Sequence, residues 1–123
     1  MRVIGLDHLV LNVADTRRSV AWYRDELGLE VLRMDEWDAG EVFFPSVRID
    51  ASTIVDILET ERSGQNVDHF CVVVADDVDQ IAASGRFEVV EGPDVRWGAR
   101  GDGRSVYVRD PDGNLIELRN YAG

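Results

Sequence analysis

Leu6-Asp7-His8-Leu9-Val10-Leu11-Asn12-Val13-Ala14-Asp15 returns 61 residues later as Val67-Asp68-His69-Phe70-Cys71-Val72-Val73-Val74-Ala75-Asp76. Five of the ten pairs are identical, and four of the others exchange one apolar residue for another. The offset persists outside this stretch. Val20-Ala21 falls on Ile81-Ala82, Val47-Arg48 on Val108-Arg109, and Ile54-Val55-Asp56-Ile57 on Leu115-Ile116-Glu117-Leu118. Shared β-strand composition explains valine on valine. It does not explain Asp-His on Asp-His, or a carboxylate on a carboxylate, at one constant offset. The chain is therefore read as an internal duplication.

Each copy follows the same pattern. Residues 6–13 form an apolar run without Gly or Pro, which predicts a strand. Asp15 is placed to cap a helix carrying Val20, Tyr23, Glu26 and Leu27, and Gly28 to end it in a left-handed conformation. Strands are expected at residues 30–34, 41–48 and 53–58. The second copy predicts a strand at 67–74, a helix at 78–83 stopped by Gly85, and strands at 87–90, 105–109 and 115–119. Asp110-Pro111-Asp112-Gly113-Asn114 is a strong turn between the last two. The polar segment 59–66, with Gly64, is the expected linker. Module 1 then covers about residues 1–60 and module 2 about 66–123. Some 60 residues bury too little surface to stand alone comfortably, so the modules are expected to form one domain.

Composition narrows the function. The 123 residues suit one domain, and 45% hydrophobic content supports a real core. The net charge of −11 opposes binding to nucleic acid and to anionic membranes. No run approaches the roughly 20 apolar residues of a membrane span. The start of the chain lacks signal-peptide design and Cys71 has no partner for an intrachain disulfide, so a cytoplasmic protein is expected.

Strand alternation then selects a site. Leu9, Leu11 and Val13 share the face expected to pack on the helix, which leaves His8, Val10 and Asn12 opposite. The repeat puts Phe70, Val72 and Val74 on the helix side, and His69, Cys71 and Val73 opposite. Ile116 and Leu118 pack, leaving Glu117 and Arg119 opposite; Val55 and Ile57 pack, leaving Asp56 opposite. Both histidines of the chain and both carboxylates thus fall on helix-free faces. Two imidazoles with one or two carboxylates suit a divalent first-row metal: Mn, Fe, Co, Ni or Zn. His8, His69 and Glu117 are the candidate ligands, with Asp56 as a fourth inward group that binds metal or acts as a base. Tyr107 and Arg109 alternate with Val106 and Val108 and so face the cavity or its rim, where Tyr107 could donate to an oxyanion. Cys71 is a candidate substrate contact, although a small buried hydrophobe explains it better. Trp97 sits in the glycine-rich stretch 96–103, read as a lid loop, where Arg96, Arg100 and Arg104 concentrate positive charge.

These segments resemble the vicinal oxygen chelate superfamily, which includes glyoxalase I, fosfomycin-modifying enzymes, bleomycin-resistance proteins and extradiol dioxygenases. Residues 6–15, Trp22-Tyr23-Arg24-Asp25-Glu26-Leu27-Gly28-Leu29 and residues 105–118 carry the resemblance, which spans essentially the whole chain and is strongest for small single-domain glyoxalase-like members. It implies an α+β fold of two tandem βαβββ modules forming an incomplete mixed β-barrel with helices outside. It also implies a homodimer and places His8, His69 and Glu117 at the metal-ligand positions. Asp56 stands where glyoxalase I carries a glutamate, one methylene longer. The expected activity is metal-dependent lyase or isomerase chemistry on a small oxygen-bearing substrate. The alternatives are a binding protein that sequesters a small molecule, as bleomycin-resistance members do, and an extradiol-type dioxygenase. The substrate-contact candidates are Asn12, Cys71, Trp97 and Arg109; the catalytic candidates are Glu117, Asp56 and Tyr107.

Overall fold

A computed structural model describes every residue except Met1, Val3, Gly5, Arg62, Ser63 and Gly123. The chain divides into two compact units, Met1–Asn66 and Val67–Gly123. Two residues of the expected linker, Arg62 and Ser63, lie outside the described residues.

The first unit runs β1 (His8–Val13), α1 (Thr16–Leu27), β2 (Glu30–Leu32), α2 (Met34–Asp38), β3 (Ser46–Asp50) and β4 (Thr53–Glu59). Its strands form an open mixed sheet in the order β1-β4-β3-β2. β1 lies parallel to β4, and the other pairs are antiparallel. A parallel pair needs a long crossover, and α1 with the strands after it supplies that. Asp15 caps α1 by accepting from the Arg18 amide at 3.0 Å. Gly28, at φ 68°, closes it, and the Leu29 amide returns to the Tyr23 carbonyl at 3.2 Å. Helix α1 lies against β2, β3 and β4. Leu11, Val13, Val20, Tyr23, Val47, Val55 and Ile57 form the core between helix and sheet. Each such side chain contributes roughly 1.5–3 kcal/mol by leaving water.

The second unit repeats this plan with β5 (Phe70–Val73), α3 (Val78–Ala83), β6 (Val89–Gly98), β7 (Gly101–Arg109) and β8 (Leu115–Asn120). Its sheet order, β5-β8-β7-β6, copies the first, again with the first and last strands parallel. Asp77 caps α3, accepting from the Asp79 and Gln80 amides at 2.8 and 3.1 Å. The core here is Val78, Val106, Val108, Ile116 and Leu118. Asp110 builds the turn before β8: its carboxylate accepts from the Asn114 amide and side chain, both at 2.8 Å. The architecture is α+β, two tandem βαβββ modules, as expected.

Three local expectations change. The strand read at 41–48 begins at Ser46, because Pro45 has no amide proton to give a ladder. Residues 34–38 form the short helix α2 where a strand was expected to end. The stretch 96–103 is a hairpin and not a lid loop. Gly98 pairs with Gly101 across a two-residue turn, and Trp97 with Asp102. Glycine signals a turn when read locally, but Gly98 and Gly103 are strand residues that make room for a neighbour. A Cβ on Gly98 would stand 1.9 Å from Nη1 of Arg119, and one on Gly103 2.7 Å from its Nε.

Candidate metal centre

In the first unit, Val10 is the register partner of Asp56 and His8 of Ile54. His8 and Asp56 therefore project from the same face, opposite the core residues Leu11, Val55 and Ile57. Asp56 is 5% exposed. Its Oδ1 accepts from the buried Ser46 hydroxyl at 2.6 Å, and Ser46 is its cross-strand partner. His8 is half-exposed, with Nδ1 2.7 Å from the Asp7 carboxylate. That hydrogen bond raises the imidazole pKa, and Asp56 adds to the effect. Both side chains line an open concavity of about 590 Å³ with Arg33 and Arg48. Asn12 lies farther along β1, where its carbonyl accepts from the Asn66 side chain at 2.9 Å.

The second unit builds the same pair with more support. His69 Nδ1 is 2.6 Å from the Asp68 carboxylate. Its Nε2 is 3.2 Å from Oε1 of Glu117. Glu117 is 4% exposed. Its other oxygen, Oε2, accepts from the buried Ser105 hydroxyl at 2.6 Å and lies 3.4 Å from the Arg119 guanidinium. Burial pushes the Glu117 carboxyl pKa up, but Ser105, Tyr107, Arg119 and His69 together outweigh it and hold the group below its ordinary value. Tyr107 pairs with Glu117 across the sheet, and its ring meets that of His69 edge-on at 5.4 Å. Burial raises the Tyr107 phenol pKa, and its hydrogen bond to Glu117 adds to this.

Cys71, Trp97, His69 and Glu117 line a concavity of about 320 Å³ in this unit. Burial, then the Glu117 charge, push the Cys71 thiol up to about 11, so it is held as a thiol although the residue is partly open to solvent. Arg109 is turned elsewhere: its guanidinium donates to the Gly113 carbonyl at 2.9 Å and secures the closing turn. Arg119 is the member that sequence reasoning placed on this face without a role. It is 3% exposed and donates to the Trp97 carbonyl at 3.1 Å and to the Arg96 carbonyl. Ser46 and Ser105 have no signature in the sequence, since a serine in a strand carries no signal until its cross-strand neighbour is known.

These groups fit a divalent ion. In each unit a carboxylate takes Nδ1 of the histidine, which orients the ring and leaves Nε2 for another partner, the arrangement usual for metal-bound histidine. Two atoms bound to one ion at about 2.1 Å and at a right angle stand roughly 3 Å apart. The 3.2 Å between His69 Nε2 and Glu117 Oε1 matches that spacing. Among the described residues no three His, Cys, Asp or Glu side chains gather as one cluster; the donors come as one pair per unit.

The fold and these donor pairs define a duplicated βαβββ protein with histidine–carboxylate faces. The chain belongs to the Glyoxalase/Bleomycin resistance protein/Dioxygenase superfamily, whose profile matches residues 5–118. It is 31% identical to Virulence protein STM3117 of Salmonella typhimurium, over 98% of this chain and 87% of that protein. The crystal structure of that virulence protein superposes with a TM-score of 0.77 at 26% identity, covering 99% of this chain and all of that one. Glyoxalase domain-containing protein RDO1 of Mycosarcoma maydis is 32% identical over 98% of this chain and 70% of its own length. An integron cassette protein from the mobile metagenome of V. cholerae also superposes at a TM-score of 0.77, with 28% identity, 99% of this chain and 98% of that one.

Proposed function

We propose that the protein is a divalent-metal-dependent enzyme of the glyoxalase type, acting as a lyase or isomerase on a small oxygen-bearing substrate. The observation that carries this reading is the His69 Nε2 to Glu117 Oε1 pair at 3.2 Å, with the far side of each group already held by Asp68 and Ser105. His8, His69 and Glu117 are the proposed ligands, with Asp56 as a fourth group. Three or four protein donors leave positions open for substrate oxygens. When bound, the ion supplies polarisation of a substrate oxygen and stabilisation of the negative charge that develops on it.

The protein's own residues divide the remaining work. Glu117 is pinned by a hydroxyl and a guanidinium and is suited to stay in place as an anion. Asp56 is held by a single described side-chain donor, Ser46, and is the group suited to accept and return a proton. Tyr107, kept protonated, can donate to an oxyanion beside Glu117. The same reading places the protein in the cytoplasm as a homodimer; light scattering on the purified protein measures the latter.

Elemental analysis after reconstitution with Mn, Fe, Co, Ni or Zn, joined to a thermal-shift titration, tests the proposal. The expected outcome is one ion per chain and a raised melting temperature, both lost in His69→Ala and in His8→Ala. No uptake of any of these ions, with no thermal shift, overturns it and leaves the faces as binding surfaces for a sequestered molecule.

A further inference from the structure

Five arginines lie in or beside the β6–β7 hairpin, and their partners separate them: Arg109, at the far end of β7, donates to the Gly113 carbonyl. Arg96 is neutralised by Glu91 and by Asp94, the latter at 3.1 Å. Arg104 makes a two-pronged contact with Asp79 at 2.6 and 2.8 Å. Arg119 is matched by Glu117. Arg100, at the hairpin turn, has no acidic partner among the described residues, in a chain whose net charge is −11. Its guanidinium instead lies over the Tyr121 ring, 4.2 Å from the centroid, and its amide donates to the Tyr121 hydroxyl at 3.1 Å. Stacking takes the face of a guanidinium and leaves its N–H edge for a planar anion.

Arg100 also lines the 320 Å³ concavity that holds His69 and Glu117, and every lining residue belongs to the second unit. Glu117 and Arg119 are paired there, so Arg100 is the arginine of this lining without an acidic partner among the described residues. The volume lies at the small end of ligand sites. Trp97, 80% exposed, adds an aromatic surface to the same wall.

We propose that this concavity binds a small organic acid, with its carboxylate on the edge of Arg100 and an oxygen-bearing end toward His69 and Glu117. The inference rests on the metalloenzyme reading for the second contact and deepens it by naming the substrate class. Arg100 is the residue that selects the acid. Tyr121 is the positioning residue behind it.

Phenylglyoxylate, a planar acid with an adjacent carbonyl, is the probe, and its uncharged methyl ester is the control. Calorimetric titration of the metal-loaded protein should show the acid binding at least about tenfold more tightly than the ester, the size expected of one charge-assisted contact. Arg100→Gln should remove that preference. Arg104→Gln, which deletes the same charge from a residue already committed to Asp79, should keep it. Both positions are exposed, and melting curves verify that the variants fold. The same titrations on metal-free protein and on His69→Ala separate the two proposals. If the protein takes no metal yet Arg100 still governs acid binding, only the metalloenzyme reading fails. If acid and ester bind alike, if the acid does not bind the wild type, or if Arg100→Gln and Arg104→Gln behave alike, the organic-acid site is overturned whatever the metal result.

Discussion

Asp56 and Glu117 are the same position of a duplicated plan, and the two units treat them differently. Each sits on the last strand of its sheet, on the face away from the helix, and each is almost fully buried. Opposite Asp56 across the sheet stands Ser46; opposite Glu117 stands Tyr107. The extra methylene of glutamate carries its carboxylate to Ser105, beyond its own partner. Arg119, two residues along β8, adds a buried cation, where the corresponding residue of the first unit is Leu58. One carboxylate is thus fixed by several groups, and the other is held, among the described residues, by one hydroxyl. Duplication supplied two equivalent acids, and their unequal surroundings fit them for unequal tasks.

The difference can be broken most severely at Glu117. Glu117→Leu leaves Arg119 buried without its counter-charge and should cost about 3 kcal/mol, as breaking a buried ion pair does. Asp56→Leu leaves the buried Ser46 hydroxyl without its described acceptor and should cost about 1–2 kcal/mol, less than the loss at Glu117. Urea unfolding of both variants reads the gap, and equal losses would dissolve the asymmetry. Next comes Gly98→Ala, whose new methyl would enter the space of the Arg119 guanidinium. Displacing that group should cost about 1–3 kcal/mol by overpacking. Chemical denaturation combined with hydrogen exchange across residues 96–103 should show the hairpin loosening first, because Arg119 ties it to β8.

The serines should respond in a smaller and opposite order. Ser46→Ala removes the one described side-chain donor to Asp56, and about 1 kcal/mol of stability should go with it. Ser105→Ala should cost less, since Arg119 and Tyr107 still serve Glu117. Thermal melts of the pair decide the order. The smallest effect lies outside the site. The Arg104 guanidinium beside Asp79 holds that carboxyl below its ordinary 3.8. The stability this contributes is complete above pH 3.8 and is lost as pH falls through the lowered folded value. Asp79→Asn should therefore trail the wild type slightly at neutral pH and converge with it in acid, seen by urea midpoints across that range.

Much of the site is legible in the order of the residues. Strand parity alone places His8 with Asp56, and His69 with Glu117, on helix-free faces, because alternate side chains of a strand point to opposite sides. The neighbours that set the state of each acid are not legible there. Ser105 reaches Glu117 through a diagonal across two strands, and Arg119 fits because two glycines of another hairpin omit their side chains. Read locally, those glycines suggest a mobile lid. In the folded sheet they are the clearance for a buried guanidinium. Arg109, by contrast, has the right parity and yet serves the turn at Gly113, since a long side chain at a strand end can fold back on the nearest carbonyl.

By itself, then, the sequence determined the duplication, the βαβββ order of each half, the caps at Asp15 and Gly28, and the faces that carry the histidines and acids. All of these follow from short-range geometry: a period of two in strands, one turn in helices, and a constant offset between copies. The tertiary structure decided which donor meets which carboxylate, how Arg100 is held on the Tyr121 ring, and where Trp97 stands. Those depend on register between strands distant in the chain, and a shift of one residue would turn every side chain to the other face.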